Sequence, residues 1–343
     1  MNLMQKTPLH ADTDALSAVT IELNAAVLSV ERDRLQVLTV QTGGRAEPCE
    51  SLPMGTFMPR SHDTLEAGVR TWVDAQTGLS LGYAEQLCTF VGTGGVAPCA
   101  TAPRVALGYL ALTQPSEDDL GAACQWRDTA EHLPWEDWRD GKPLVLSEEI
   151  EPRLSRWAGS GEGATSASGS SRGERLHIAF GMDNGAWDEE RVLERYDMLC
   201  EAGLVADGEV PDSKAVGNGS AGNGIAHPEL GLRLPSGQRR ILASAIGRLR
   251  AKIKYRPLVF ELMQGEFTLF ELQRTVEAIL GSHLHKQNFR RLVESGRLVE
   301  ATKDVRTHTG GRPAKLFRFR REVVLERPAP GVRVRPGLSS AHA

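Results

Sequence analysis

The 343 residues carry 40 Lys and Arg against 44 Asp and Glu, a formal net charge of −4, with 41% hydrophobic residues. That length suggests two or three domains, and the apolar share is enough to bury a core in each. The five cysteines, Cys49, Cys88, Cys99, Cys124 and Cys200, include no CxxC pair and are odd in number, which argues against a disulfide framework. They are expected to be buried thiols in a reducing compartment. The first residues contain no apolar core of a signal peptide. No stretch approaches the ~18–20 apolar residues of a membrane span. A soluble, cytoplasmic chain is expected.

Residues 20–41 alternate as strands do, TIELNAAVLSV and LQVLTVQ about a turn at Glu31–Arg34, and predict a hairpin. A loop follows from Pro53 to Pro59. Thr64 to Gln76 predicts a helix capped by Asp63 or Thr64 and stopped by Gly78, with Leu65, Val69, Trp72 and Val73 on one face. Residues 84–92 and 104–113 predict two more strands. Residues 159–173 hold five Gly and five Ser and predict a linker or long loop. RLHIAF, 175–180, predicts a strand, and Asp188–Leu204 an amphipathic helix ending near Gly203. Residues 207–224 are again rich in Gly and Asn.

The net charge hides an asymmetry. Residues 239–327 carry 20 Lys and Arg against 9 Asp and Glu, and residues 1–238 carry 18 against 35. Arg333 and Arg335 follow in the tail. An acidic body with a basic end suits a chain whose end meets a polyanion. From Ser236 the pattern turns helical, with Ile241, Ala245, Leu249 and Ile253 at four-residue spacing and Arg239, Arg240, Arg248 and Arg250 among them. Two readings stand: a surface helix with a basic face, or a connecting helix set against a dimer partner or the DNA backbone.

Pro257 opens a short helical segment that buries Leu258, Val259 and Leu262. Thr268 and Glu271 have capping-box spacing, and the helix they begin ends at Gly281. Lys286–Ser295 forms the next helix, closed by Gly296, with Phe289 and Leu292–Val293 inward. Three short helices with a tight turn before the last form a helix-turn-helix. The outward set on the last helix is Lys286, Gln287, Asn288, Arg290 and Arg291. Arg reads guanine, Asn and Gln read adenine, and Lys neutralises phosphate. RLVEAT and AKLFRFR then form a wing whose basic, Gly-rich tip carries Arg306 and Arg312, with Lys315 beside it.

Residues 53–79, PMGTFMPRSHDTLEAGVRTWVDAQTGL, resemble the Nudix box GX5EX7REUXEEXGU, in which clustered glutamates hold Mg2+ against a diphosphate. Aligned on Gly78-Leu79, the Arg-Glu pair falls on Thr71-Trp72 and the Glu-Glu pair on Ala75-Gln76. One residue back, keeping Arg70 as the arginine, the glutamate positions fall on Thr71, Asp74 and Ala75. Either register leaves at most one helix carboxylate, besides Asp63 in the loop. A dication needs several hard oxygen ligands, so neither metal binding nor diphosphate hydrolysis is expected. Arg60, His62 and Arg70 remain as candidates to meet a phosphate.

A degenerate Nudix box ahead of a basic winged helix resembles the Nudix-related transcriptional regulators of NAD metabolism. YRPLVFELMQGEFTLFELQRTVEAILG, LHKQNFRRLVESG and TGGRPAKLFRF carry the specific part of that resemblance. Residues 134–206, with PWEDW and the Gly/Ser stretch, are similar to the long proteobacterial branch. The resemblance implies an α+β chain, a Nudix-like α/β/α sandwich followed by a winged helix-turn-helix. It divides the chain into a ligand-sensing domain (1–158), a linker (159–173), an extension (174–238), the connecting helix and DNA-binding domain (239–327), and a disordered tail (328–343). It also implies a homodimer on a palindromic operator, repressing genes of NAD synthesis or salvage. The effector would be ADP-ribose, NAD or ATP, with no cofactor required. The alternatives are an active Nudix hydrolase with a nucleic-acid-binding appendage, and an RNA-binding or protein-interaction adaptor.

Overall fold

A computed structural model describes residues 19–42, 49–92, 104–114, 120–159, 169–205, 230–235, 237–306 and 313–332. The hairpin forms as β1 (Thr20–Glu31) and β2 (Arg34–Thr42), and its two-residue turn puts Arg32 and Asp33 at φ 49° and 61°. A turn with both central residues left-handed matches the right-handed twist of the strands it joins. Two short strands missing from the sequence reading follow, β3 (Cys49–Ser51) and β4 (Met54–Thr56). Helix α1 (Leu65–Thr77) is closed at both ends. The Thr64 hydroxyl accepts the Ala67 N–H, and Gly78, at φ 77°, donates to the Asp74 carbonyl.

β5 (Tyr83–Gly92), β6 (Arg104–Leu112) and β7 (Cys124–Asp128) complete a seven-stranded sheet among the described residues. Its order is β3-β2-β1-β6-β5, with β4 added to β1 and β7 to β2. Only the β1–β6 pair is parallel. Period-two alternation along β1 feeds two cores. Leu23, Ala25 and Val27 pack with Val69 and Val73 of α1, while Ala26 and Leu28 face the opposite side.

That opposite side is covered by later parts of the chain. α2 (Thr129–His132) follows β7, and a π-helical turn, Leu146–Ile150, leads into α3 (Glu151–Gly159). RLHIAF lies in a helix, α4 (Arg172–Phe180), not in a strand. The Ser171 and Glu174 side chains form a reciprocal capping box and Gly181 closes the other end, so a helix satisfies this segment locally. Leu176, Ala179 and Phe180 then share one buried face. α5 (Val192–Glu201) is shorter than its predicted 188–204. Within 159–173, residues 160–168 lie outside the described residues, as do 206–229 and the tail from 333.

α6 spans Gln238–Ile253. It is not a surface helix with a basic face, because it packs on β1, β5, β6, α5 and the helical turn at Leu258–Leu262. Ile241, Ala245, Leu249 and Ile253 are buried as the spacing predicts, and so are Arg239 and Arg250. Arg239 donates to the carbonyls of His132 and Leu230. With α1 on one face of the sheet and α6 on the other, the expected α/β/α sandwich is present.

The cysteines also depart from expectation: Cys49 is exposed, and Cys88, Cys124 and Cys200 are half-buried. Cys49 sits at the start of an edge strand, where one side of the backbone faces solvent. Cys99 lies outside the described residues. No helix among those residues is long and apolar enough to cross a membrane.

Candidate nucleic-acid interface and ligand loop

After α6, the 3-10 turn at Leu258–Leu262 buries the three predicted apolar residues. β8 (Phe267–Thr268) leads into α7 (Leu269–Leu280), where Thr268 and Glu271 form the predicted capping box. α8 spans Lys286–Ser295, with Phe289 and Val293 buried beneath it. β9 (Val299–Arg306) and β10 (Ala314–Phe319) form the wing, and α9 (Val323–Glu326) follows. β8 joins β10 as a third strand that the sequence reading missed, a two-residue segment too short to show alternation. Phe260 stacks on Phe319 at 4.2 Å and lies 5.7 Å from Phe267, which seats the wing on the helices.

Lys286, Gln287, Asn288, Arg290 and Arg291 are all exposed on α8. Residues 286 and 290, and 287 and 291, stand one helical turn apart, so these four line a single face. No ion pair among the described residues engages Lys286, Arg290 or Arg291. On the wing, Lys315 is exposed opposite Val305, and Arg306 is paired with Glu271. Arg312 lies outside the described residues.

The +11 of residues 239–327 does not all face outward. Arg239 and Arg250 are buried, Lys252 is held by Glu85 at 2.6 Å, and Lys254 by Glu189 at 2.6 Å. The outward positive charge of the segment is therefore smaller than its composition implies, and α8 and the wing carry much of it.

The loop before α1 separates its three candidates. Arg60 is exposed. His62 is buried; its Nδ1 accepts the Met58 N–H at 3.2 Å, and its ring lies between Phe57 and Trp72 at 5.7 and 6.3 Å. Arg70 pairs with Glu66 at 2.8 Å and donates to the carbonyls of Leu81 and Gly82. His62 and Arg70 thus hold the loop and α1 in place, and Arg60 alone of the three projects into solvent.

The box positions carry few oxygen ligands. Trp72 Nε1 donates to the Thr56 carbonyl at 2.9 Å, and Gln76 bonds both the N–H and the C=O of Met54. Asp63 and Asp74 are exposed. Among the described residues no three His, Cys, Asp or Glu come together in a group that could hold a metal ion.

A group that sequence reasoning missed lies between the sandwich and the helix-turn-helix. Glu136 is buried and accepts from Arg195 at 2.7 and 2.8 Å and from Arg250 at 2.7 Å. Arg195 also lies 3.8 Å over the Trp187 ring. Nothing in the local pattern of PWEDW signals this, since its partners are 59 and 114 residues away.

Residues 259–319 match the family model described as the NrtR DNA-binding winged helix domain. The C-terminal domain is similar to that winged helix over those residues. The ADPR responsive transcriptional repressor NtrR of Acinetobacter baylyi is 48% identical over 80 residues, 23% of this chain and 31% of its own length. The chain thus matches about a third of that relative. Shewanella oneidensis NrtR complexed with a 27mer DNA shares the fold, at a TM-score of 0.50 and 18% identity, over 89% of this chain and 95% of its own. The NUDIX domain of that protein, in complex with ADP ribose, is 21% identical over 43% of this chain and 94% of its own, at a TM-score of 0.30. The chain thus carries a winged helix similar to that of NrtR behind a Nudix-like sandwich.

Proposed function

We propose that this protein is an ADP-ribose-responsive transcriptional repressor that binds a palindromic operator as a homodimer and controls genes of NAD synthesis or salvage. The observation that carries the reading is the exposed Lys286, Gln287, Asn288, Arg290 and Arg291 face of α8, on a winged helix of the NrtR type. The effector is the one to which the Acinetobacter relative responds by name. Residues 1–158 form the sensing domain and 239–327 the DNA-binding domain, although α6 belongs structurally to the sandwich. Arg60 is the candidate ligand contact of the loop. A repressor of this kind acts in the cytoplasm and uses no catalytic metal.

Effector binding shifts the protein between two states only through different affinity for each. Selection of bound duplexes from random DNA, followed by titration of ADP-ribose, NAD and ATP, tests the reading. Recovery of a palindrome whose binding changes with ADP-ribose is expected. Recovery of no palindrome would sink it, and a response to NAD or ATP alone would replace the effector. Mg2+-dependent turnover of ADP-ribose would establish the hydrolase alternative.

A further inference from the structure

We propose that Asp33, at the tip of the β1–β2 hairpin, is a positioning residue for α8, acting through Arg274 and Glu277. The proposal rests on α8 being the DNA-reading helix. Glu277 is buried in the last turn of α7 and controls the turn that launches α8. Its Oε1 accepts the Leu284 N–H at 3.0 Å and Gln273 Nε2 at 2.8 Å. Its Oε2 lies 3.0 Å from His283 Nδ1 and 3.3 Å from Arg274. Gln273 also donates to the Leu284 carbonyl at 2.9 Å. Both backbone groups of Leu284, two residues before α8, are therefore tied to side chains of α7.

Arg274 extends this group to the sheet. Its Nε donates to Asp33 Oδ2 at 2.9 Å, across 241 residues of sequence. The Asp33 carbonyl in turn accepts from Arg139, and the neighbouring Trp138 N–H donates to the Gly281 carbonyl at 2.7 Å. Gly281 begins the turn and Leu284 nearly ends it. The turn is thus held to the sandwich from two directions, and Asp33 bonds to both. The Asp33 bond fixes where Arg274 sits, and with it the Glu277 group that holds the turn.

Asp33→Asn is a clean perturbation, because Asn tolerates the left-handed backbone that Asp33 adopts while losing the charge. Arg274→Gln removes the other half. Hydrogen exchange of the DNA-free full chain, followed over residues 281–290, reads the turn directly. Each single variant is expected to speed exchange there by about two- to five-fold, the range of a half-exposed ion pair. Exchange in α1 should stay unchanged. The double variant should match Arg274→Gln, because Asp33 acts only through Arg274, which also bonds Glu277. Affinity for a selected duplex should fall by a similar factor in each variant while random-sequence duplex binding holds. Wild-type exchange at the turn in Asp33→Asn, or additive effects in the double variant, overturns the proposal. The exchange readout needs no DNA, so failure to select a duplex counts against the repressor reading alone.

Discussion

Glu136→Gln tests the junction between the sandwich and the helix-turn-helix. The wild-type carboxylate is 4% exposed and shared by two guanidiniums, Arg195 at 0% and Arg250 at 3%. Burial opposes its charge, but Arg195 and Arg250 together outweigh that and hold its carboxyl below the usual range. The substitution keeps the size, but it turns one accepting oxygen into an NH2 donor facing guanidinium N–H groups and removes the charge that the two buried cations share. Removing one partner of a buried ionic group costs about 3–5 kcal/mol. With a urea slope of about 2–3 kcal/mol per molar, the unfolding midpoint should fall by about 1–2.5 M. Tryptophan fluorescence reports locally, because Trp138 and Trp187 lie 4.4 Å apart beside the group. Glu149→Gln is the control: its pair with Arg153 leaves the carboxylate 41% exposed, and a surface pair contributes about 0–1 kcal/mol. A Glu136→Gln midpoint as close to wild type as the control would refute the argument that this charge balance holds the junction.

On the DNA side, Arg290→Ala should relax base preference and cost about 1–3 kcal/mol in a competition assay, the loss of one bidentate contact. Lys315→Ala should instead weaken all duplexes alike and lower the slope of log affinity against log salt by about 1. Acid should weaken the fold in two stages. Burial pushes the His132 imidazole below its ordinary 6.5, so the unfolded chain takes up a proton first and stability falls as pH drops below about 6.5. Glu136 and Glu277, both held below their ordinary 4.5, add a second loss below about pH 4.5. Urea midpoints at pH 7.5 and 5.5 isolate the first stage, and His132→Gln should flatten it.

Elements whose signals are local were legible in the sequence. The hairpin, α1 and α7 each have their turn or caps within a few residues, and α8 shows its two faces directly in KQNFRRLVES. RLHIAF misled because its alternation is brief, while the deciding signals, Ser171, Glu174 and Gly181, flank it. α6 misled for a different reason. Its arginines suggest an exterior by composition, yet their partners include a carboxylate 114 residues upstream and the His132 carbonyl 107 residues upstream. A buried charge is recognisable only with its counter-groups, and here the fold alone supplies them. The same holds for Asp33: nothing in a two-residue hairpin turn announces a partner in a helix 241 residues on.

The Nudix-like box has a loop–helix frame whose helix carries few carboxylates. At the positions where one register places glutamates, Trp72 and Gln76 join α1 to β4. Gly55 belongs to the same arrangement, since a Cβ there would sit 2.2 Å from the Trp72 ring. These residues now serve the loop's shape, and the chemistry of the box cannot be restored without disturbing it. Trp72→Glu with Gln76→Glu removes the donors to the Thr56 and Met54 carbonyls, at about 1 kcal/mol each. It also sets two carboxylates beside those carbonyls with no cation present. The double variant should therefore be less stable by about 2 kcal/mol and gain no Mg2+-dependent turnover of ADP-ribose. Turnover in the variant, with stability unchanged, would show that the box was still built around a metal and that only its ligands had been lost.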